Sequence, residues 1–200
     1  MSFKDFRARL AKLWLFSPIL NVPMPMKKKK KKKKTRGTVR CTRTWIDFVP
    51  LIVKSPQPYR WVNRVGTQSL PDTAVQGGRD TDGSTIFVGR AFHEGDMLPA
   101  KVIPEKGVAY VCHGGEEHPK HSYEVLCQGE FAWQFASNGE VPADAVVGGQ
   151  TSDGEPLYIG RVLHSGSQTI GKVQPSHGCL YIPYDGEELS FKDYEVLVIH

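Results

Sequence analysis

Residues Gly77 to Lys101 read GGRDTDGSTIFVGRAFHEGDMLPAK, and residues Gly148 to Lys172 read GGQTSDGEPLYIGRVLHSGSQTIGK. Each copy opens on a glycine pair, passes an Asp-Gly turn, runs a short apolar strand into Gly-Arg, and then meets a His. A polar loop follows, and one Lys closes the segment. The offset is 71 residues, and it holds beyond these segments without a gap. Pro71 meets Pro142, Gly115-Glu116-Glu117 meets Gly186-Glu187-Glu188, and Tyr123-Glu124-Val125-Leu126 meets Tyr194-Glu195-Val196-Leu197. One offset kept over this length marks an internal repeat.

Working outward from the repeat, runs of four to six β-branched and aromatic residues alternate with Gly, Pro, Asp and Ser clusters, and no helical period survives beyond a turn. Ile86–Val88, Val108–Val111, Tyr123–Cys127, Leu157–Ile159, Leu180–Ile182 and Tyr194–Ile199 read as strands. The fold class is therefore all-β and antiparallel, a β-sandwich or barrel of two pseudo-symmetric repeats. Each repeat has too few strands to bury both faces of its sheets, so the two are expected to share one core. The organisation is a basic leader over residues 1–60, a first repeat over 61–132 and a second over 133–200, with 61–200 as one globular unit.

The net charge of +5 misleads when read alone. Residues 1–60 hold seventeen Lys and Arg against two acids, whereas the remaining 140 hold nine against nineteen. The repeats are acidic, which argues against nucleic-acid binding by the globular part. Lys27 to Lys34 is an unbroken polylysine run, and its like charges keep such a segment extended. Lys27, Lys30 and Lys34 could touch an anionic membrane, or the run could be a low-complexity linker. The leader has no clear secretory signal, since its apolar patch is short and broken by Pro18 and Pro23. The four cysteines are far apart, without a C-x-x-C pair. Together these features point to a cytoplasmic, vesicle-associated setting.

The string of Trp, Pro-x-x-Ala-Val-x-Gly-Gly, Asp-Gly, Gly-Arg, His, Lys-Val, Gly-Glu-Glu and Tyr-Glu-Val-Leu, present twice over residues 61–200, resembles the tandem DM-nine repeat family. The resemblance implies a compact β-sandwich of two repeats, often a homodimer. It also implies kinship with mannose-binding lectins of innate immunity and with insect proteins that respond to parasites. In those lectins an Asp of the Gly-Gly loop and the later Lys hold sugar hydroxyls. Carried over by position, these are Asp80 and Lys101, with Asp82 beside them on the turn; the second copy keeps Asp153 and Lys172 but has Thr151 where the first has Asp80.

The chemistry suits a sugar, because a carboxylate accepts from vicinal hydroxyls while an ammonium donates to them. Asp82 and Asp153 have an alternative role in shaping their turns, and Lys101 and Lys172 an alternative as salt-bridged residues. Glu116-Glu117 and Glu187-Glu188 could rim the site of the other repeat, while Arg90 and Arg161 read as structural ion-pair residues. Cys112, His113, His118 and His121 are rich in metal ligands but occur in one copy only, and no metal site is assigned. No phosphate-binding loop is present, and no cofactor is expected. The expected function is a non-enzymatic carbohydrate-binding protein of mannose-type lectin character, active in innate recognition, whose partners are mannose-containing glycans. The alternative is an intracellular protein-interaction module that binds no sugar.

Overall fold

The computed structural model describes residues 58–200; the leader readings, including Lys27, Lys30 and Lys34, lie outside the described residues. The first repeat forms β1 (Arg60–Val65), β2 (Gln76–Arg79), β3 (Thr85–His93), β4 (Asp96–Ile103), β5 (Val108–His113), β6 (Glu116–Lys120) and β7 (Ser122–Cys127). The second forms β8 (Phe131–Ser137), β9 (Val147–Gln150), β10 (Pro156–His164), β11 (Ser167–Gln174), β12 (Cys179–Tyr184), β13 (Glu187–Phe191) and β14 (Asp193–Ile199). A 3-10 turn follows β4 at Pro104–Lys106 and another follows β11 at Pro175–His177. The described residues contain no α-helix.

All the expected strands are present, but the stretch between His and Lys is not a polar loop. His93-Glu94-Gly95-Asp96 closes a tight hairpin in which Glu94 and Gly95 both have positive φ, and Ser165-Gly166 does the same in the second copy. Two successive positive φ values match the twist of the flanking strands. The chain then returns as a full strand, β4 or β11, which is almost wholly buried despite Lys101, Lys172, Thr169 and Gln174.

The strand pairings close on themselves. β3 pairs with β2, β2 with β11, β11 with β10, β10 with β9, β9 with β4, and β4 again with β3. The architecture is thus the expected all-β antiparallel arrangement of two repeats, with the sheet closed into a barrel. Closure removes edges that a sandwich would have to protect. Each repeat donates its Gly-Gly strand to the other: Arg79 pairs with Gln168 and Gln150 with Met97. A Cβ on Gly78 would stand 1.8 Å from the Gln168 carbonyl oxygen, and one on Gly149 would stand 1.9 Å from that of Met97. The glycine pair is therefore the point where two backbones cross with no room for a side chain.

A second contact links the repeats through their β5–β6 and β12–β13 hairpins, where Glu116 faces Glu187 in register. Those residues occupy equal places in the two copies, so the pseudo-two-fold axis passes between them. One core cluster is built equally from both repeats, with Ile86, Val88, Ile103 and Leu126 against Val146, Ile159, Ile170 and Leu197. Two further clusters flank it, one centred on Leu98, Val102 and Val111 and the other on Val173, Leu180 and Ile182. Arg90 pairs with Glu124 and lies over the Trp61 ring; Arg161 pairs with Glu195 at 2.7 Å and lies over Trp133. Both arginines thus seal the outer strands β7 and β14 to the barrel.

Candidate functional site

β4 carries Lys101 directly beside Tyr110 of β5, and β6 brings Glu117 opposite Cys112. The alternation of side chains along each strand sends Lys101, Tyr110 and Glu117 toward one mouth of the barrel. Lys101 is buried; its ammonium lies 2.8 Å from Glu117 Oε1 and donates to the backbone carbonyl of Pro183, in the second repeat, at 2.7 Å. Lys172 repeats the arrangement with Glu188 at 2.9 Å and the carbonyl of Cys112 at 2.8 Å. Glu117 and Glu188 complete the clasp with their other oxygens, which accept from the N–H of Gly186 and Gly115 respectively. Each lysine and each glutamate therefore holds the opposite repeat as well as its own.

Glu117 Oε1 and Glu188 Oε1 each take one lysine ammonium, and a carboxylate oxygen has a second lone pair with which to accept another hydrogen bond. Burial pushes the Glu188 carboxyl up, but Lys172 and the Gly115 N–H more than offset it and hold the group ionised below its usual range. Cys112 is the opposite case: full burial pushes its thiol far up, so it is neither a thiolate nucleophile nor a ready metal ligand.

In the first repeat this clasp forms the wall of a pocket of about 350 Å³, lined by Asp80, Lys101, Lys106, Tyr110, Glu117 and Tyr184. The volume lies within the range of small-molecule sites. The Lys101 ammonium sits 5.1 Å from the Tyr110 ring centre and 5.8 Å from that of Tyr184, so two aromatic rings flank the charge. Lys106, from the 3-10 turn, reaches Asp80 at 2.9 Å and Asp82 at 3.0 Å. Burial pushes Asp80 up, but Lys106 and the Thr81 N–H outweigh it and keep the carboxylate below its ordinary value. Asp82 is exposed, and its Oδ1 accepts from the Ser84 N–H, which is the turn-shaping role. Asp80 and Lys101 thus line one pocket, whereas Asp82 stands outside it as part of the Lys106 clasp.

The second copy departs from this plan. Thr151 Oγ1 accepts from the Glu155 N–H at 3.0 Å, and Glu155 in turn binds the Ser176 N–H, the Ser176 hydroxyl and the Gln174 amide. His177, in the place of Lys106, is 3.1 Å from the Tyr181 hydroxyl. Loop and 3-10 turn are therefore fastened without a lysine, and Asp153 stands exposed on a turn like that of Asp82. Lys172 keeps its clasp but has no carboxylate in the Asp80 position. His113 and Gly114 replace Tyr184 and Asp185 at the rim.

Three residues of the first pocket escape the repeat pattern. Tyr184 and Asp185 reach it from the other repeat, which periodicity cannot show. Lys106 could have been noticed, since Pro-x-basic-Gly recurs as Pro104-Glu105-Lys106-Gly107 and Pro175-Ser176-His177-Gly178. The four residues Cys112, His113, His118 and His121 do not converge. Cys112 points into the Lys172–Glu188 clasp, and His121 is exposed; His113 and His118 instead meet His93, at ring distances from it of 5.2 and 4.1 Å.

A model of the DM9 repeat matches residues 80–191, which spans both Asp-Gly turns, both lysines and both Glu-Glu hairpins. The chain belongs to the DM9 repeat family. It is 37% identical over 145 residues, 70% of this chain, to Natterin-3 of Thalassophryne nattereri, and 32% identical over 68 residues to Natterin-1 of the same species. These matches take up 36% and 17% of the two relatives, so the chain spans about a third or less of the length of the curated proteins it matches. The nematode sperm cell motility protein MFP2B has a similar fold, with a TM-score of 0.55 at 14% identity over 72% of this chain and 48% of the other.

Proposed function

We propose that this DM9 protein is a non-enzymatic lectin whose principal sugar site is the first-repeat pocket, with mannose-type glycans as ligands and innate recognition as its role. Family membership supports a lectin-like kind of protein, and the pocket supplies the detail. The observation that carries the reading is the meeting, in one small pocket, of an ionised Asp80, the Lys101 ammonium and the Glu117 carboxylate beside two tyrosine rings. A pair of adjacent hydroxyls on a pyranose can donate to the carboxylates and accept from lysine, and its C–H face can lie on tyrosine. Lys101 has named partners for two of its three N–H groups among the described residues, which leaves one for a ligand.

A shallow polar site of this kind binds weakly by itself, and affinity for a cell surface would come from many copies engaging together. A glycan array probed with the full chain tests the reading: signals concentrated on mannose-terminated glycans are expected, and a blank array defeats it. The interaction-module reading draws on one observation. Phe92 and Leu163 occupy the same place in the two repeats and are 63% and 72% exposed. Protein capture abolished by Phe92→Ser with Leu163→Ser, alongside a blank array, would favour that reading.

A further inference from the structure

The tips of the β3–β4 and β5–β6 hairpins bring His93, Glu94 and His113 together, and one ligand atom of each can be chosen so that all lie within 4.8 Å of one another. His93 Nε2 is buried and has no hydrogen-bond partner. Its other nitrogen, Nδ1, is 2.8 Å from Lys120 Nζ, a group that can only donate while charged. His113 presents Nδ1 to Glu94 Oε2 at 3.9 Å, while its Nε2 faces Asp96 Oδ2 at 3.6 Å. A carboxylate behind one ring nitrogen favours the proton there and leaves the lone pair on the other, which is how protein sites orient a metal-binding imidazole. Asp96 is itself held, since its Oδ1 accepts from the Ser152 N–H at 2.7 Å.

The second repeat supplies an internal control. There the equivalents of His93, Glu94, His113, His118 and Lys120 are His164, Ser165, Tyr184, Leu189 and Phe191. His164 packs edge-on against Tyr184 at 4.8 Å and against Phe191 at 5.3 Å, which is an ordinary aromatic contact. The hairpin tips therefore pack without any convergence of imidazoles and carboxylates. Packing does not explain why the first copy gathers them.

We propose that His93 Nε2, His113 Nδ1 and a Glu94 carboxylate oxygen bind a divalent cation of the zinc class. Two imidazoles and one carboxylate are borderline donors that suit zinc over magnesium or calcium. Three protein ligands with an open fourth position match the sites in which zinc keeps a water or takes a ligand. Drawing the three ligand atoms from within 4.8 Å of one another to zinc bond lengths of about 2.0–2.2 Å needs an inward movement on the order of an ångström, to which exposed Glu94 on its turn can contribute. Binding at Nε2 moves the His93 ring proton to Nδ1, so the Lys120 ammonium must swing away. Lys120 therefore acts against the metal. His118 donates from Nε2 to the His113 carbonyl at 3.0 Å and braces the ring stack. Since His113 stands where Tyr184 stands in the first pocket, the cation would lie beside the second pocket, the one without an Asp80. The site does not depend on the sugar reading.

Titration calorimetry of the chelator-treated full chain with zinc chloride, and visible absorption with cobalt(II), test it. One zinc per chain and the strong absorption of a four-coordinate cobalt site are expected, with no uptake of magnesium. His93→Gln and His113→Gln should each weaken zinc at least tenfold, and His164→Gln should leave it unchanged. Lys120→Gln should tighten zinc on the order of tenfold, since the amide oxygen can accept from His93 Nδ1–H. Glu94→Gln, at an exposed position, covers the case in which a histidine variant fails to fold. The proposal is overturned if the wild-type chain takes up no zinc at micromolar concentration. It is equally overturned if zinc binding survives the paired His93→Gln and His113→Gln changes or the Glu94→Gln change undiminished.

Discussion

Lys101 of the first repeat donates to the backbone carbonyl of Pro183 of the second at 2.7 Å, and Lys172 returns the bond to Cys112 at 2.8 Å. The two lysines that the family resemblance makes candidates for sugar contact are thus polar bolts between the repeats. On the proposed reading, a ligand in the first pocket would share the Lys101 ammonium with the junction of the repeats.

Lys101→Met should destabilise the protein strongly, on the order of 3–5 kcal/mol, because it leaves Glu117 nearly buried without its cation. Lys101→Met combined with Glu117→Leu should recover part of that loss, since no unpaired charge remains. Urea unfolding of the three chains measures both terms, and equal stability of the single and double variants would contradict the clasp.

Gly78→Ala should prevent folding or lower the melting temperature far more than Gly83→Ala. At Gly78 the new methyl meets a backbone oxygen that cannot yield. At Gly83 space is open and the cost is the left-handed φ of +88° alone, about 1 kcal/mol. Thermal circular dichroism separates the two effects.

The glycine pair also shows what the sequence could and could not convey. Its recurrence marked an obligatory backbone position, and the β-branched runs marked the strands, because burial selects those residues directly. β4 and β11 were legible only at their lysines, since Met97, Pro99, Gln168 and Thr169 do not read as a strand until two neighbours cover them. The strand pattern allowed a barrel but could not choose it over a sandwich for a related reason: closure depends on β2 reaching β11 and β9 reaching β4, pairings of Arg79 with Gln168 and of Met97 with Gln150 that are silent in local pattern. The pairing of Asp80 with Lys101 in one pocket followed from position. The contribution of Tyr184 from the far repeat did not.

Stability should be flat near neutrality and fall in acid. Asp80, Glu155 and Glu188 all have folded-state values below their ordinary ones. Their contribution is complete above the unfolded carboxylate range of about 3.9–4.3 and is lost as pH falls through the lower folded values. Asp80→Asn should remove part of this acid sensitivity. Urea midpoints collected from pH 7 to pH 3 check the slope, and a midpoint that rises on acidification would contradict the assignment.

Lys106→Met should release Asp80 and Asp82 together and loosen the loop over the first pocket, lowering sugar affinity without unfolding the barrel, because the ion pairs are partly exposed and weak. His177→Met, at the matching place in the second repeat, should leave affinity unchanged. Calorimetry with methyl mannoside on both variants distinguishes them.

The account rests on the first pocket being the sugar site. Chemical-shift mapping of the full chain with methyl mannoside tests this most directly. The predicted result is saturable perturbation centred on Asp80, Tyr110, Glu117 and Tyr184, abolished by Asp80→Ala and left in place by Asp153→Ala. Perturbation that ignores Asp80→Ala, or that centres on Thr151 and Lys172, would contradict it.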